Sequence, residues 1–161
     1  MDRLKTSFAW LGWDLAQIPP DLAMSITTEE NMAYAKALVI CAKGDGQITP
    51  QERQWLIGYS VTVGHPDAVV ETTTTYEGED AIEDVLKASP AMPTYRRFLL
   101  YDALRACASD GELAPGERER VLRMADRLGV ARQVVAEIEQ LVQEDQELRQ
   151  RKHKLLLLDA M

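Results

Sequence analysis

Two acidic pairs in this sequence have the same spacing and the same neighbours. Asp45 and Glu52 lie seven positions apart, as do Asp110 and Glu117, and each pair encloses a Gly after the Asp and a Pro two positions before the Glu. Carboxylate oxygens that converge from a turn and the following helix are the ligands preferred by hard divalent cations. We therefore predict these four acids as metal ligands, with a divalent cation as the one cofactor that the sequence suggests.

The spacing is similar to the second half of an EF-hand loop, which also ends on a bidentate Glu. The first and third loop positions would be Cys41 and Lys43 in one copy, and Ala106 and Ala108 in the other. None of these side chains carries an oxygen, so an ordinary EF-hand is excluded.

A structural role accounts for the same residues without a metal. Asp-Gly is typical of a helix end, where Gly tolerates a positive φ. Pro-x-Glu is typical of a helix start, where Glu is favoured by the helix dipole. The acids are therefore either cation ligands or helix caps, and the sequence leaves both interpretations open.

The acidic pairs belong to an internal repeat. Residues 45–70 and 110–135 align without a gap at an offset of 65, with eight of 26 positions identical. Each copy reads as a helix, an Asp-Gly turn, a Pro-capped helix and a Gly stop. We predict two pseudo-twofold-related helical repeats over about residues 27–71 and 93–136, with Ile48 and Leu113 pointing into the core between the turns.

The elements that must position these turns are helices. Capping-box patterns begin helices at Thr27 and Thr49, and we predict an all-α fold, a compact bundle of about seven to eight helices forming one domain over residues 1–161. An amphipathic stripe predicts an N-terminal helix over residues 3–18, and a C-terminal helix and tail occupy residues 131–161. Residues 72–79, which are rich in threonine, are expected to form an extended connector.

Composition excludes several classes of function. The formal net charge of the 161-residue chain is −8, which disfavours binding to nucleic acid. No segment approaches the roughly 20 apolar residues that cross a bilayer, so membrane insertion is not expected. Cys41 and Cys107 are too few for a disulfide framework and are expected as buried, reduced thiols, which indicates a cytoplasmic protein.

The doubled motif, at residues 41–53 and 107–118, resembles the TerB-like family, that is, tellurite-resistance protein B and its relatives. The resemblance covers about residues 27–142 and departs from the family pattern at Gly44, which is an extra residue. It implies an all-helical fold with pseudo-twofold halves, an acidic patch that binds metal ions, and a role in chemical-stress and tellurite-linked systems without established catalysis. Carried over to this chain, the patch is Asp45, Glu52, Asp110 and Glu117.

We therefore predict a non-enzymatic, cytosolic, stress-associated protein that binds divalent cations or a protein partner through its acidic repeat turns. The alternative is a metal-dependent hydrolase that uses the same carboxylates. It is disfavoured because the two histidines, His65 and His153, lie outside the repeat turns, and no pair of a nucleophile and a base is visible.

The chain end carries four consecutive leucines, Leu155 to Leu158, and the rings of Trp10 and Trp13 lie off the first helix's apolar stripe. Leucines exposed to water form an apolar patch that favours association. We predict a symmetric homodimer with the tail or the first helix in its interface. The alternative is that the leucines pack against the protein's own core.

Overall fold

The computed structural model describes residues 26–44, 46–87, 92–111 and 113–157, and the side chains of residues 92–94 are not among the described ones. The predicted helix over residues 3–18, with Trp10 and Trp13, lies outside this part of the chain. So do Asp45 and residues 158–161.

The described residues form helices joined by short turns and contain no strand, which confirms the all-α fold class. The helices in chain order are α1 Thr28–Ala42, α2 Pro50–Thr62, α3 Asp67–Thr75, α4 Ile82–Lys87, α5 Met92–Cys107, a 3₁₀ turn Ala108–Asp110, α6 Pro115–Arg127 and α7 Arg132–Leu156. None of the helices in the described ranges is both long enough and apolar enough to cross a membrane.

The helices begin where local capping chemistry places their first turns. Thr27 accepts a hydrogen bond from the Glu30 backbone N–H at 3.2 Å, and the Thr27 N–H donates to Glu30 Oε2 at 2.8 Å. This reciprocal pair satisfies two N–H groups that have no partner inside the helix. The start of α1 at Thr28 therefore follows directly from the sequence.

The expectation of an extended connector over residues 72–79 is wrong for its first half, because α3 continues to Thr75. The hydroxyl of Thr72 donates to the Ala68 carbonyl at 2.9 Å, and that of Thr74 donates to the Val70 carbonyl at 2.8 Å. Threonine can remain in a helix when its hydroxyl bonds to the preceding turn in this way. The extended backbone begins at Tyr76.

The core lies where α1 and α5 pack against each other, with α6 against both. Its fully buried side chains include Leu38, Leu100, Leu104 and Met124. Cys41 and Cys107, near the ends of α1 and α5, are unexposed free thiols. Ile48 and Leu113, which precede α2 and α6, are half-buried and pack against this core.

A buried polar cluster ties three helices together. Asp102 of α5 accepts hydrogen bonds at 2.8 Å from the hydroxyls of Tyr34 on α1 and Tyr59 on α2, and Arg105 donates to its other oxygen at 3.2 Å. Burial raises the pKa of both tyrosines well above the usual range, so the hydroxyls stay protonated and donate. The cluster therefore fixes the relative position of α1, α2 and α5.

Replacing Asp102 with Ala should lower the free energy of unfolding by about 3 kcal/mol, because two buried tyrosine hydroxyls would lose their acceptor. Urea denaturation followed by circular dichroism measures the loss. Asp84→Ala is the matched control, since this aspartate is exposed and pairs with Lys87 on its own helix, and its effect should stay within about 0.5 kcal/mol. Equal losses in the two variants would contradict a structural role for the buried cluster.

Candidate metal site at the repeat turns

Glu52 and Glu117 occupy the first turns of α2 and α6, helices of 13 residues each that begin 65 positions apart. Proline at the first helical position sets the entry of each helix. Oε2 of Glu52 then accepts from the Thr49 N–H at 2.6 Å, and Oε2 of Glu117 accepts from the Ala114 N–H at 2.8 Å. Each glutamate is thus oriented by one of its two oxygens.

The capping of the two helices differs in one respect. Thr49 also accepts from the Glu52 N–H at 3.2 Å, which completes the capping box that the sequence predicts. Ala114 has no side-chain oxygen, so only the glutamate half of the box forms at α6. Each glutamate therefore caps its helix, as the structural interpretation predicts, and it uses only one of its two oxygens to do so.

The two glutamates meet inside the protein. Glu52 is 1% exposed and Glu117 is 6% exposed, and the Glu52 carboxyl is near enough to Glu117 to raise its pKa. The pKa of Glu117 is raised to about 8, first by burial, then by the hydrogen bond with Glu52, and further by the charges of Glu52 and Asp110. The arrangement therefore favours a proton, or another positive charge, at this pair.

One oxygen of the pair remains without a donor. Oε1 of Glu52 is buried and receives no hydrogen bond from any group in the described part of the chain. A buried acceptor without a partner is unusual in folded proteins and requires an explanation. A shared proton or a bound cation would each supply the missing partner.

Glycine allows the first repeat turn to lie against the second glutamate. Gly44 has a φ of +52°, and a Cβ built on it would fall 2.6 Å from Cγ of Glu117. Any side chain here would meet both a strained backbone and a clash. This glycine, which the family pattern lacks, therefore has a role in the geometry of the pair.

The two thiols near the pair stay protonated. Burial raises the pKa of Cys41 to about 12, an effect partly opposed by Arg120 and increased by Glu117. Burial also raises the pKa of Cys107, and the charges of Cys41, Glu117 and Glu52 add to this. Because the thiolate is the form that binds metals, the oxygen ligands define what this site can hold.

The structure thus brings Glu52 and Glu117 together, whereas the other predicted ligands stand differently. Asp110 is exposed at the end of the 3₁₀ turn and acts on Glu117 through its charge. Asp45 lies outside the described residues. Within residues 26–44, 46–87, 92–111 and 113–157, no group of three or more His, Cys, Asp or Glu side chains is close enough to hold a metal ion.

Sequence reasoning missed two features of the site. It did not predict that the two glutamates would be buried next to each other, and it did not anticipate that Gly44 would contact the opposite repeat. The sequence contains one signal for these features. Glu52 and Glu117 each follow a proline and, before it, an apolar residue at the same spacing, and these apolar residues, Ile48 and Leu113, are half-buried.

The chain is similar to a tellurite resistance protein from Nostoc punctiforme PCC 73102, whose crystal structure was determined at 1.85 Å resolution. The two share 34% sequence identity, with a TM-score of 0.78, over 97% of this chain and 95% of that one. No protein-family model matches the chain, and no curated protein matches it.

The raised pKa of Glu117 predicts how stability depends on pH. The fold favours its protonated form, so this contribution is complete below the unfolded pKa of 4.5 and is lost as pH rises to about 8. Relative to the unmodified protein, Glu117→Gln should therefore become progressively more stable from pH 5 to pH 8, as measured by urea midpoints.

His65 has an opposing effect on the pH dependence of stability. This effect cancels when the stability of Glu117→Gln is compared with that of the unmodified protein, because both contain His65. Burial lowers the pKa of His65 to about 4, so its contribution to stability is lost as pH falls below the unfolded value of 6.5. Glu119→Gln, on the exposed face of the same helix, should run parallel to the unmodified protein. Parallel curves for Glu117→Gln as well would show that the Glu117 carboxyl is not perturbed.

Gly44→Ala should lower the free energy of unfolding by about 2 kcal/mol, because alanine resists a positive φ and its Cβ would displace Glu117. Gly46→Ala is the matched control in the same turn, since a Cβ there meets nothing within 4 Å. Thermal and urea unfolding compare the two variants. A smaller loss for Gly44→Ala than for Gly46→Ala would contradict the close packing of Gly44 on Glu117.

Proposed function

The chain belongs to the TerB-like family of tellurite resistance proteins, and on that premise we propose that it is a non-enzymatic cytoplasmic protein that binds a divalent cation between Glu52 and Glu117. The observation that supports this proposal is the buried glutamate pair with one oxygen that lacks a donor. In this proposal each glutamate caps its helix with one oxygen and binds the cation with the other.

The pair has the chemistry that a cation would relieve. Two carboxyl groups brought together in a buried place cannot both carry a charge without a cost. A divalent cation compensates both charges at once and provides a partner for Oε1 of Glu52. The donors are oxygens only, so the proposed ligand is a hard cation such as Ca²⁺ or Mn²⁺.

Two carboxylates are too few for such an ion, and the rest of the proposed set comes from the repeat turns. Asp45 follows Gly44, whose backbone packs against Glu117. Asp110 already acts on Glu117 through its charge. We therefore propose Asp45 as a further ligand. Asp110, which does not form a metal-binding group with the pair in the described residues, is proposed to attract the ion through its charge, with water completing the coordination.

Protons and cations would compete for this site. Since the pKa of Glu117 is raised, the fold favours a proton on this carboxyl, and a bound cation would displace it. Metal affinity should therefore rise with pH, and binding should release a proton.

The enzymatic alternative has less support from the structure. His65 lies beyond the end of α2, and its Nδ1 is 2.9 Å from Ser60 Oγ. Ser60 stands about 12 Å from Glu52 along the helix axis, at 1.5 Å per residue. His153 is on the exposed part of α7. Neither histidine is placed as a base beside the carboxylate pair, so we propose binding without catalysis.

Calcium or manganese at millimolar concentration should raise the melting temperature in proportion to RT ln(1 + [L]/Kd). The shift should grow between pH 6 and pH 8 as the proton on Glu117 is removed. Differential scanning fluorimetry measures the shift, and calorimetry in buffers of different ionisation enthalpy detects the released proton. Zn²⁺ is included as a softer ion, for which a smaller shift is expected.

Glu117→Gln and Glu52→Gln should each abolish this shift while preserving helicity, whereas the exposed Glu119→Gln should retain it. If none of the three ions changes the melting temperature of the unmodified protein, cation binding is refuted. The glutamates would then be helix caps that share a proton, and a protein partner would be the remaining role for the acidic turns.

A further inference from the structure

The C-terminal helix carries an apolar stripe that the described part of the protein does not cover. Leu141, Leu148 and Leu155 recur at seven-residue steps and are 51%, 45% and 76% exposed. The buried side chains of the same helix, Val135 and Val142, lie on a different face. At 100° per residue the three leucines are rotated by roughly 100–140° from Val142, and the stripe drifts by about 20° per heptad.

The charges of α7 change sign at the middle leucine of this stripe. Before Leu148 the helix carries Glu144, Asp145 and Glu147, and after it come the basic residues Arg149, Arg151, Lys152 and Lys154. A surface with one acidic half and one basic half is complementary to its own copy when the copy runs in the opposite direction.

We propose that a second copy of this chain docks on the stripe, with the two α7 helices antiparallel and a twofold axis at Leu148. In this register Leu148 meets the partner's Leu148, and Leu141 meets the partner's Leu155. The contact is isologous and closed, as in the commonest symmetric dimers. It covers three exposed leucines on each protomer.

The residues that flank the stripe support this register. A twofold axis perpendicular to antiparallel helices brings the same flank of both copies together. On one flank Asp145 then faces the partner's Lys152, and on the other Glu144 faces the partner's Arg151. Both flanks thus pair opposite charges, whereas a parallel pair would set the acidic half beside the partner's acidic half and the basic half beside its basic half.

An anionic membrane or a nucleic acid fits this surface less well. Each would attract the basic half but repel Glu144, Asp145 and Glu147, and the net charge of −8 adds to the repulsion. A second copy satisfies both halves of the helix.

Sedimentation equilibrium of the full chain at concentrations of about 1–100 μM should reveal the dimer. A dimer has a mass of 2 × 18.1 = 36.2 kDa. Leu148→Glu places two carboxylates against each other on the axis and should raise the dissociation constant by about 30-fold or more. Val61→Glu, at a 57% exposed apolar position on α2, is the matched control and should leave the dimer intact.

A charge swap tests the antiparallel register itself. Glu144→Arg alone or Arg151→Glu alone sets like charges against each other twice, and each should weaken the dimer by about tenfold. The double variant restores opposite charges and should recover the affinity. A parallel dimer would show no such recovery, because residue 144 of one copy and residue 151 of the other would then lie about 10 Å apart along the helix axis.

These residues are exposed, so the variants should keep the helicity of the unmodified protein. A chain that remains monomeric at about 100 μM would overturn the proposal. The leucines would then be assigned to contacts within the chain, with residues 1–25 as the candidate partner segment. A dimer that survives Leu148→Glu, or capture of the monomer by anionic lipid vesicles without self-association, would also overturn it.

Discussion

The contact between Glu52 and Glu117 is the constraint on which the rest of the site depends. Two buried carboxyl groups from helices that begin 65 positions apart repel each other when both are charged. The protein tolerates them because each gives one oxygen to the backbone at the start of its own helix, and because the pKa of Glu117 is raised. The same burial that makes the pair costly creates an affinity for a positive charge.

The surroundings of the pair bear on which positive charge the proposed site would take. The nearest sulfur ligands, Cys41 and Cys107, have raised pKa values because they are buried, and the Sγ of Cys41 is 3.9 Å from the Sδ of Met124. Thiols held in the protonated form contribute apolar packing and do not compete as soft ligands. A proton or a hard cation is therefore the species that suits the pair.

The sequence predicts those parts of the structure that depend on neighbouring residues. The starts of α1 and α2 follow from Thr27 and Thr49, whose capping boxes form as expected, and the all-α class follows from such patterns. The contact of Glu52 with Glu117, and that of Tyr34 and Tyr59 with Asp102, could not be predicted. These contacts depend on how helices distant in sequence pack, and a single sequence carries no direct record of that packing. The expectation of an extended connector at residues 72–75 was wrong for a different, local reason. The threonine hydroxyls donate to carbonyls of the preceding helical turn, so these residues remain in α3.

Helix α2 connects the carboxylate pair to the polar cluster of the core. Glu52 stands in its first turn, and Tyr59, about 10 Å further along the axis at 1.5 Å per residue, donates to Asp102 of α5. The helix is therefore held at two levels, by the contact with Glu117 of α6 and by the contact with α5. Because the first contact is buried and the second is partly buried, the fold itself sets the positions of the two carboxyl groups. A preorganised pair of this kind loses little conformational entropy on binding, so occupancy of the site should appear as added stability and not as a rearrangement of the helices.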